Sequence, residues 1–101
     1  SYPEEYVHGA QVFFYRGSRE GEALAERIQN RLVQGLDQEN HRQVKANDSY
    51  YLLKKTAVPI VIVECGFLSN REEAQKLCEE GYQEKIAWQI HLGIMQYLNK
   101  K

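Results

Sequence analysis

The 101-residue sequence has too few cysteines for a disulfide framework. It has only Cys65 and Cys78, and neither lies in a Cys-x-x-Cys pair, so both read as free, largely buried thiols. No apolar run approaches the roughly 18 residues that a membrane span needs, and no secretory leader pattern is visible. An excess of positive charge is also missing. Thirteen Lys and Arg stand against fourteen Asp and Glu, for a net charge of -1, and the positives are dispersed. That balance excludes a typical nucleic-acid binder. The glycines form no G-x-G-x-x-G and no P-loop, and H-E-x-x-H is absent.

What is present suits one small packed domain. Apolar residues make up 43% and charged residues 27%, which excludes disorder as a class. Residues 1–9 are polar and read as a loop. Residues 10–15 (AQVFFY) are aromatic and β-branched and predict a strand. Ser18 can cap a following helix whose apolar stripe is Leu24, Ile28 and Leu32, with Ala25 and Leu36 beside it and Gly35 fraying its end. Residues 37–48 are polar and break the pattern. A short helix is expected over 50–55. The run 60–63 is continuously apolar and β-branched, as in a parallel-sheet strand covered on both faces. Asn70 can cap a helix over 71–78 that Gly81 ends. A last helix from about 82 to 98 carries Ile86, Ile90, Ile94 and Leu98 at i+4 spacing.

This alternation predicts an α/β fold, a layered αβα arrangement with a mostly parallel central sheet. Two strands make a poor sheet alone. Ser1 is no initiator methionine, and the first strand comes almost at once. The chain is therefore expected to be an incomplete, C-terminal portion of that fold, residues 1–101 forming part of a single domain. An open sheet edge would then be available for self-association.

Glu64 is the most informative candidate residue. It ends a strand that reads as buried, and active sites of open α/β sheets lie beyond the carboxyl ends of strands. A half-desolvated carboxylate there suits general acid–base work. The plainer alternative is an ion pair with a nearby cation such as Lys55. Cys65 follows directly. A thiol nucleophile served by His41 or His91 is conceivable. A small packed residue on the face opposite Glu64 is the stronger reading, because strand neighbours point apart. His8, His41 and His91 are too far apart in sequence to announce a three-ligand zinc site. His8, just before the first strand, is the best placed of them. Tyr50 and Tyr51 suggest a carbohydrate platform less well than ordinary packing.

Residues 47–77 carry a more specific pattern. A short helix ends in Leu53-Lys54-Lys55-Thr56, Pro59 opens the strand, and the strand runs through Val63-Glu64-Cys65-Gly66-Phe67-Leu68-Ser69-Asn70 into an acidic helix start. This segment resembles the end of the catalytic domain of the type 3, zinc-dependent N-acetylmuramoyl-L-alanine amidases. Residues 9–15 resemble the strand that follows the family's S-I-H-x-N-S ligand segment, and residues 82–97 resemble its closing helix. The details are most similar to the germination-type CwlD branch, which readies spore cortex peptidoglycan for germination.

The resemblance implies an extracytoplasmic peptidoglycan hydrolase that cuts the amide between N-acetylmuramic acid and L-alanine. Peptidoglycan is its expected partner. Its general base would be Glu64, matching the Glu of V-E-x-G-F-L-S-N. The implied cofactor is Zn2+, held by a His in H-G-G, a Glu, and the His of S-I-H-x-N-S, all of which would precede residue 1. No metal ligand is expected within this chain, no cofactor is expected to bind it alone, and the fragment by itself is expected to be inactive. No residue is assigned to substrate binding; Asn70 reads as a helix cap before it reads as a substrate ligand. A non-catalytic wall-binding or regulatory module is the alternative function, and a purely structural fragment is a third.

Overall fold

A computed structural model describes residues 8–48, 58–66 and 71–100. The elements run β1 (Gln11–Tyr15), α1 (Arg19–Leu36), β2 (Lys45–Asn47), β3 (Val61–Glu64), α2 (Arg71–Leu77) and α3 (Glu80–Leu98). The α/β class expected from the sequence is what the chain adopts. The sheet, in order β2-β1-β3, is mixed rather than mostly parallel among the described residues. β1 pairs with β2 in parallel, and α1 supplies the crossover that such a pair requires. β1 pairs with β3 antiparallel, with Gln11 opposite Glu64 and Val12 opposite Val63.

Alternation along the strands sorts the side chains to two faces. Val12 and Phe14 of β1 lie on the same face as Val61 and Val63 of β3. This face meets Ala25, Ile28 and Leu32 of α1 and Ile86 of α3, and together they form the core. The stripe read from α1 is therefore its buried face. Ser18 caps the helix as expected, its Oγ accepting a hydrogen bond from Gly21 N at 2.9 Å. Gln11, Phe13, Ile62 and Glu64 occupy the opposite face of the sheet.

On its β2 side, β1 is paired only from Phe13 onward. Before that point, buried amides take the place of a strand. Gln29 of α1 accepts from Val12 N at 2.9 Å and donates to Ala10 O at 3.0 Å. Asn40 donates to the same carbonyl at 2.9 Å. An unpaired buried peptide group is costly, and these side chains satisfy it. Gly9 makes room for them. Its φ is +99°, and a Cβ there would meet the Asn40 side chain at 2.3 Å.

Several sequence expectations are corrected. The segment 37–48 contains β2, whose Lys-Ala-Asn has no β-branched residue to announce it and which forms because α1 returns the chain beside β1. Gly81 does not end α2, which stops at Leu77. It lies in the first turn of α3, exposed, with nothing near the position a Cβ would take. Gly81→Ala is accordingly expected to stabilise the protein by about 0.5–1 kcal/mol, because the glycine costs chain entropy there and makes no compensating close contact. A urea titration would show the midpoint rising with an unchanged slope. Cys78 is exposed rather than buried. The short helix expected over 50–55, Tyr50, Tyr51, Asn70 as a cap, and residues 1–7 lie outside the described residues.

The isoleucine ladder of α3 is only half used. Ile86 is 5% exposed and Ile90 packs at the core margin, but Ile94 is 38% and Leu98 60% exposed. A four-residue step advances about 40° beyond a full turn at 3.6 residues per turn, so the ladder drifts around the helix. The line that faces α1 instead runs through Ile86, Gln89, Gly93, Tyr97 and Lys100. Gln89 accepts from Arg31 Nε at 3.0 Å, and Gly93 abuts Ile28. Tyr97 and Lys100 both donate to Glu20, Lys100 at 2.9 Å. The Tyr97 hydroxyl and then the Lys100 ammonium hold the Glu20 carboxyl below the usual carboxylate range.

Candidate functional site

Glu64 is the last residue of β3 and is half-buried. Among the described residues its side chain forms no ion pair and no hydrogen bond, so none of the described cations is paired with it. Lys55, the partner considered from the sequence, lies outside the described residues. Because β3 runs antiparallel to β1, the carboxyl end of β3 sits beside the amino end of β1. The residue placed directly opposite Glu64 is Gln11.

Gln11 is 7% exposed, and a buried amide of this kind costs free energy unless it is hydrogen-bonded. Its Nε2 donates to Gln43 O at 2.8 Å, and its Oε1 accepts from Arg42 Nη2. Arg42 is itself placed by its backbone, whose N donates to Asn40 Oδ1 at 2.9 Å. Sequence reading passed over both residues. The signal available was a glutamine opening an otherwise apolar strand, AQVFFY. Arg42 carried no signal beyond its charge, because its role comes from the return of the chain along β1.

The other candidates separate from Glu64. Cys65 turns toward the core and packs against it, as alternation required. Burial pushes its thiol up, which keeps it protonated and unsuited to nucleophilic attack. His8 Nδ1 lies 3.4 Å from Asp37 Oδ2. His41 lines an open polar groove of about 660 Å3, walled by Glu22, Glu26 and Asn30 of α1 and by Arg42. His91 is exposed on α3, its ring stacked 5.3 Å from that of Trp88. Glu64 does not line this groove. Among the described residues no three His, Cys, Asp or Glu side chains converge in a way that could hold a metal ion. No described helix is long and apolar enough to cross a membrane.

The chain resembles known proteins over nearly its full length. Residues 1–96 match the family described as N-acetylmuramoyl-L-alanine amidase. The germination-specific N-acetylmuramoyl-L-alanine amidase of Bacillus subtilis is 36% identical over 99 residues, covering 98% of this chain and 41% of that protein. The CwlD amidase of Clostridioides difficile, solved in complex with the GerS lipoprotein, superposes with a TM-score of 0.94 at 43% identity. That match covers 96% of this chain and 49% of the other. The amidase AmiC2 of Nostoc punctiforme gives a TM-score of 0.79 at 34% identity, over 94% of this chain and 50% of the other. The chain thus spans about half, or less, of the length of the relatives it matches.

Proposed function

The chain belongs to the N-acetylmuramoyl-L-alanine amidase family, and from that premise we propose that it is the C-terminal part of a peptidoglycan hydrolase domain in which Glu64 is the general base. The bond cut is the amide between N-acetylmuramic acid and L-alanine. The observation that carries the assignment of Glu64 is its position: a half-buried carboxylate at a strand end, without a countercharge among the described residues, opposite Gln11 of the neighbouring strand.

Glu64 takes a proton from the attacking water as its oxygen bonds to the amide carbonyl carbon. The C–N bond then breaks, and the same carboxyl delivers the proton to the departing nitrogen. The products are a carboxylic acid on the muramyl side and a free L-alanine amine, so water is consumed and Glu64 ends ionised as it began. Rigid attachment to a strand favours this task, since proton transfer requires the base to sit within hydrogen-bond reach of the water. Zn2+, implied by the resemblance, would supply Lewis-acid activation. Its ligands, as the resemblance implies, would be supplied by segments that precede residue 1. We place the enzyme outside the cytoplasm, on the cell wall or spore cortex, where the peptidoglycan substrate lies; its likeness to a germination-specific amidase of Bacillus subtilis supports this reading.

The test is product chemistry. The whole enzyme carrying this chain, incubated with purified peptidoglycan, is expected to release new L-alanine amino termini without new reducing sugar ends. Retention on the wall with no amino groups released would replace this reading with a binding module.

A further inference from the structure

α1 and α3 are similar in length and opposite in composition. α1 carries Glu22, Glu26 and Arg27 away from its buried stripe, as a helix with a solvent side should. α3 has no Asp, Glu, Lys or Arg from Ile86 to Asn99, in a chain 27% charged. Its Gly93 abuts Ile28 of α1. Met95 lies about 200° around the helix from Gly93, and Trp88, His91 and Leu98 fall on the same outer side. This side is apolar and open: Trp88 is 57% and Met95 40% exposed. A helix that is apolar all round is a covered helix. A bilayer does not fit as the cover. No described helix is long and apolar enough to cross one, and a helix lying in a membrane surface carries Lys or Arg on its polar face, which this stretch lacks. The placement of α3 agrees. α1 lies over β1, whereas α3 packs chiefly on α1 and α2, and Ile86 is its one residue in the buried core cluster. Helices of layered α/β folds bury their apolar stripes on a neighbouring layer, and the outer side of α3 meets none among the described residues.

We infer that the outer side of α3, Trp88, His91, Met95 and Leu98, is an interface within the whole enzyme, covered by an apolar surface of the polypeptide that precedes Ser1. The inference rests on the reading of this chain as the C-terminal part of a larger domain, and the matched relatives are about twice its length or more. The cover carries a hydrogen-bond acceptor for the indole N–H of Trp88, because a buried tryptophan needs one. A second copy of the chain suits this surface less well. Trp88 to Leu98 spans only about 15 Å of one helix, a narrow strip beside the roughly 800 Å2 per partner that a stable interface buries. A segment of the same polypeptide needs no such area, since covalent attachment supplies a high effective concentration.

The experiment is hydroxyl-radical footprinting of the whole purified enzyme, read by mass spectrometry at Trp88 and Met95, the one Trp and the one Met of this chain. Both are expected to oxidise at least roughly tenfold more slowly than in the urea-unfolded enzyme, because a covered side chain reacts only when its segment opens. The protection is expected to survive dilution by about a hundredfold, since a cover within one polypeptide does not depend on concentration. Photo-methionine incorporated at position 95 is expected to cross-link to peptides that precede Ser1. Oxidation of both residues within about twofold of the unfolded rate, as for side chains open to solvent, would overturn the inference. Protection lost on dilution would also overturn it and would make the cover a second copy. Cross-links that reach no residue before Ser1 would do the same. None of these readouts uses amide cleavage. An enzyme that releases L-alanine amino termini while Trp88 and Met95 oxidise freely keeps the proposed activity and loses this interface; one that shows the protection and releases none keeps the interface and loses the activity.

Discussion

Glu64→Gln is expected to lower kcat for amide cleavage by about 10²–10⁴-fold while leaving the fold in place, the span that a positioned general acid–base group contributes. Glutamine matches glutamate in shape and cannot take the proton. The expected stability change is within about 0.5 kcal/mol, because among the described residues no cation is paired with Glu64 and would be left unpaired by the change. Loss of rate without loss of structure separates the chemical role from a structural one, and circular dichroism beside a peptidoglycan digest reads both. Glu64→Asp should fall between, since it keeps the carboxylate but draws it back by one methylene. A digest by Glu64→Gln at the wild-type rate would eliminate Glu64 as the base.

The position of Glu64 was legible because it depends on a local pattern. Residues 60–63 are β-branched and apolar, the strand they form is β3, and the carboxylate follows at its end. β1 and the stripe of α1 were legible for the same reason, and Ser18 caps where a serine before a helical pattern should. What escaped depends on the return path of the chain. β2 has a sequence, Lys-Ala-Asn, that no propensity favours, and its strand geometry is set by pairing with Phe13, Phe14 and Tyr15. The sense of the β1–β3 pairing is likewise absent from a one-dimensional pattern. A continuous apolar run announces burial, and burial is compatible with either direction. The amides of Gln11, Gln29 and Asn40 read as ordinary polar residues until the edge they satisfy exists. The ladder of α3 marked a helix correctly and its contact face only partly, because i+4 spacing and the line facing α1 diverge along the helix.

Gly93→Val is expected to destabilise the protein by about 3 kcal/mol, at the upper end of what overpacking costs. α3 meets α1 at this glycine. A Cβ built on it would stand 2.7 Å from Ile28 Cα and 3.0 Å from Ile28 N, both backbone atoms of a buried helix turn, and 2.9 Å from Ile28 Cγ1. A flexible side chain could swing aside, but a backbone cannot, so the helices must part. Ile28 is among the fully buried residues of the core, and separation there also loosens Leu32 and Ile86. Intrinsic helix propensity argues the other way, since glycine is the poorest ordinary helix former after proline and its replacement is favourable by a few tenths to about 1 kcal/mol at an open site. Gly81, in the same helix with open space around it, is the control that measures this opposing term. Denaturant titration of Gly81→Ala, Gly93→Ala and Gly93→Val should therefore give a gain, a loss and a larger loss in that order. If Gly93→Ala stabilised the protein as Gly81→Ala does, α1 and α3 would not be in contact at this glycine. The support that the paired helices lend to the buried face of the sheet would then be lost as an explanation for the placement of Glu64.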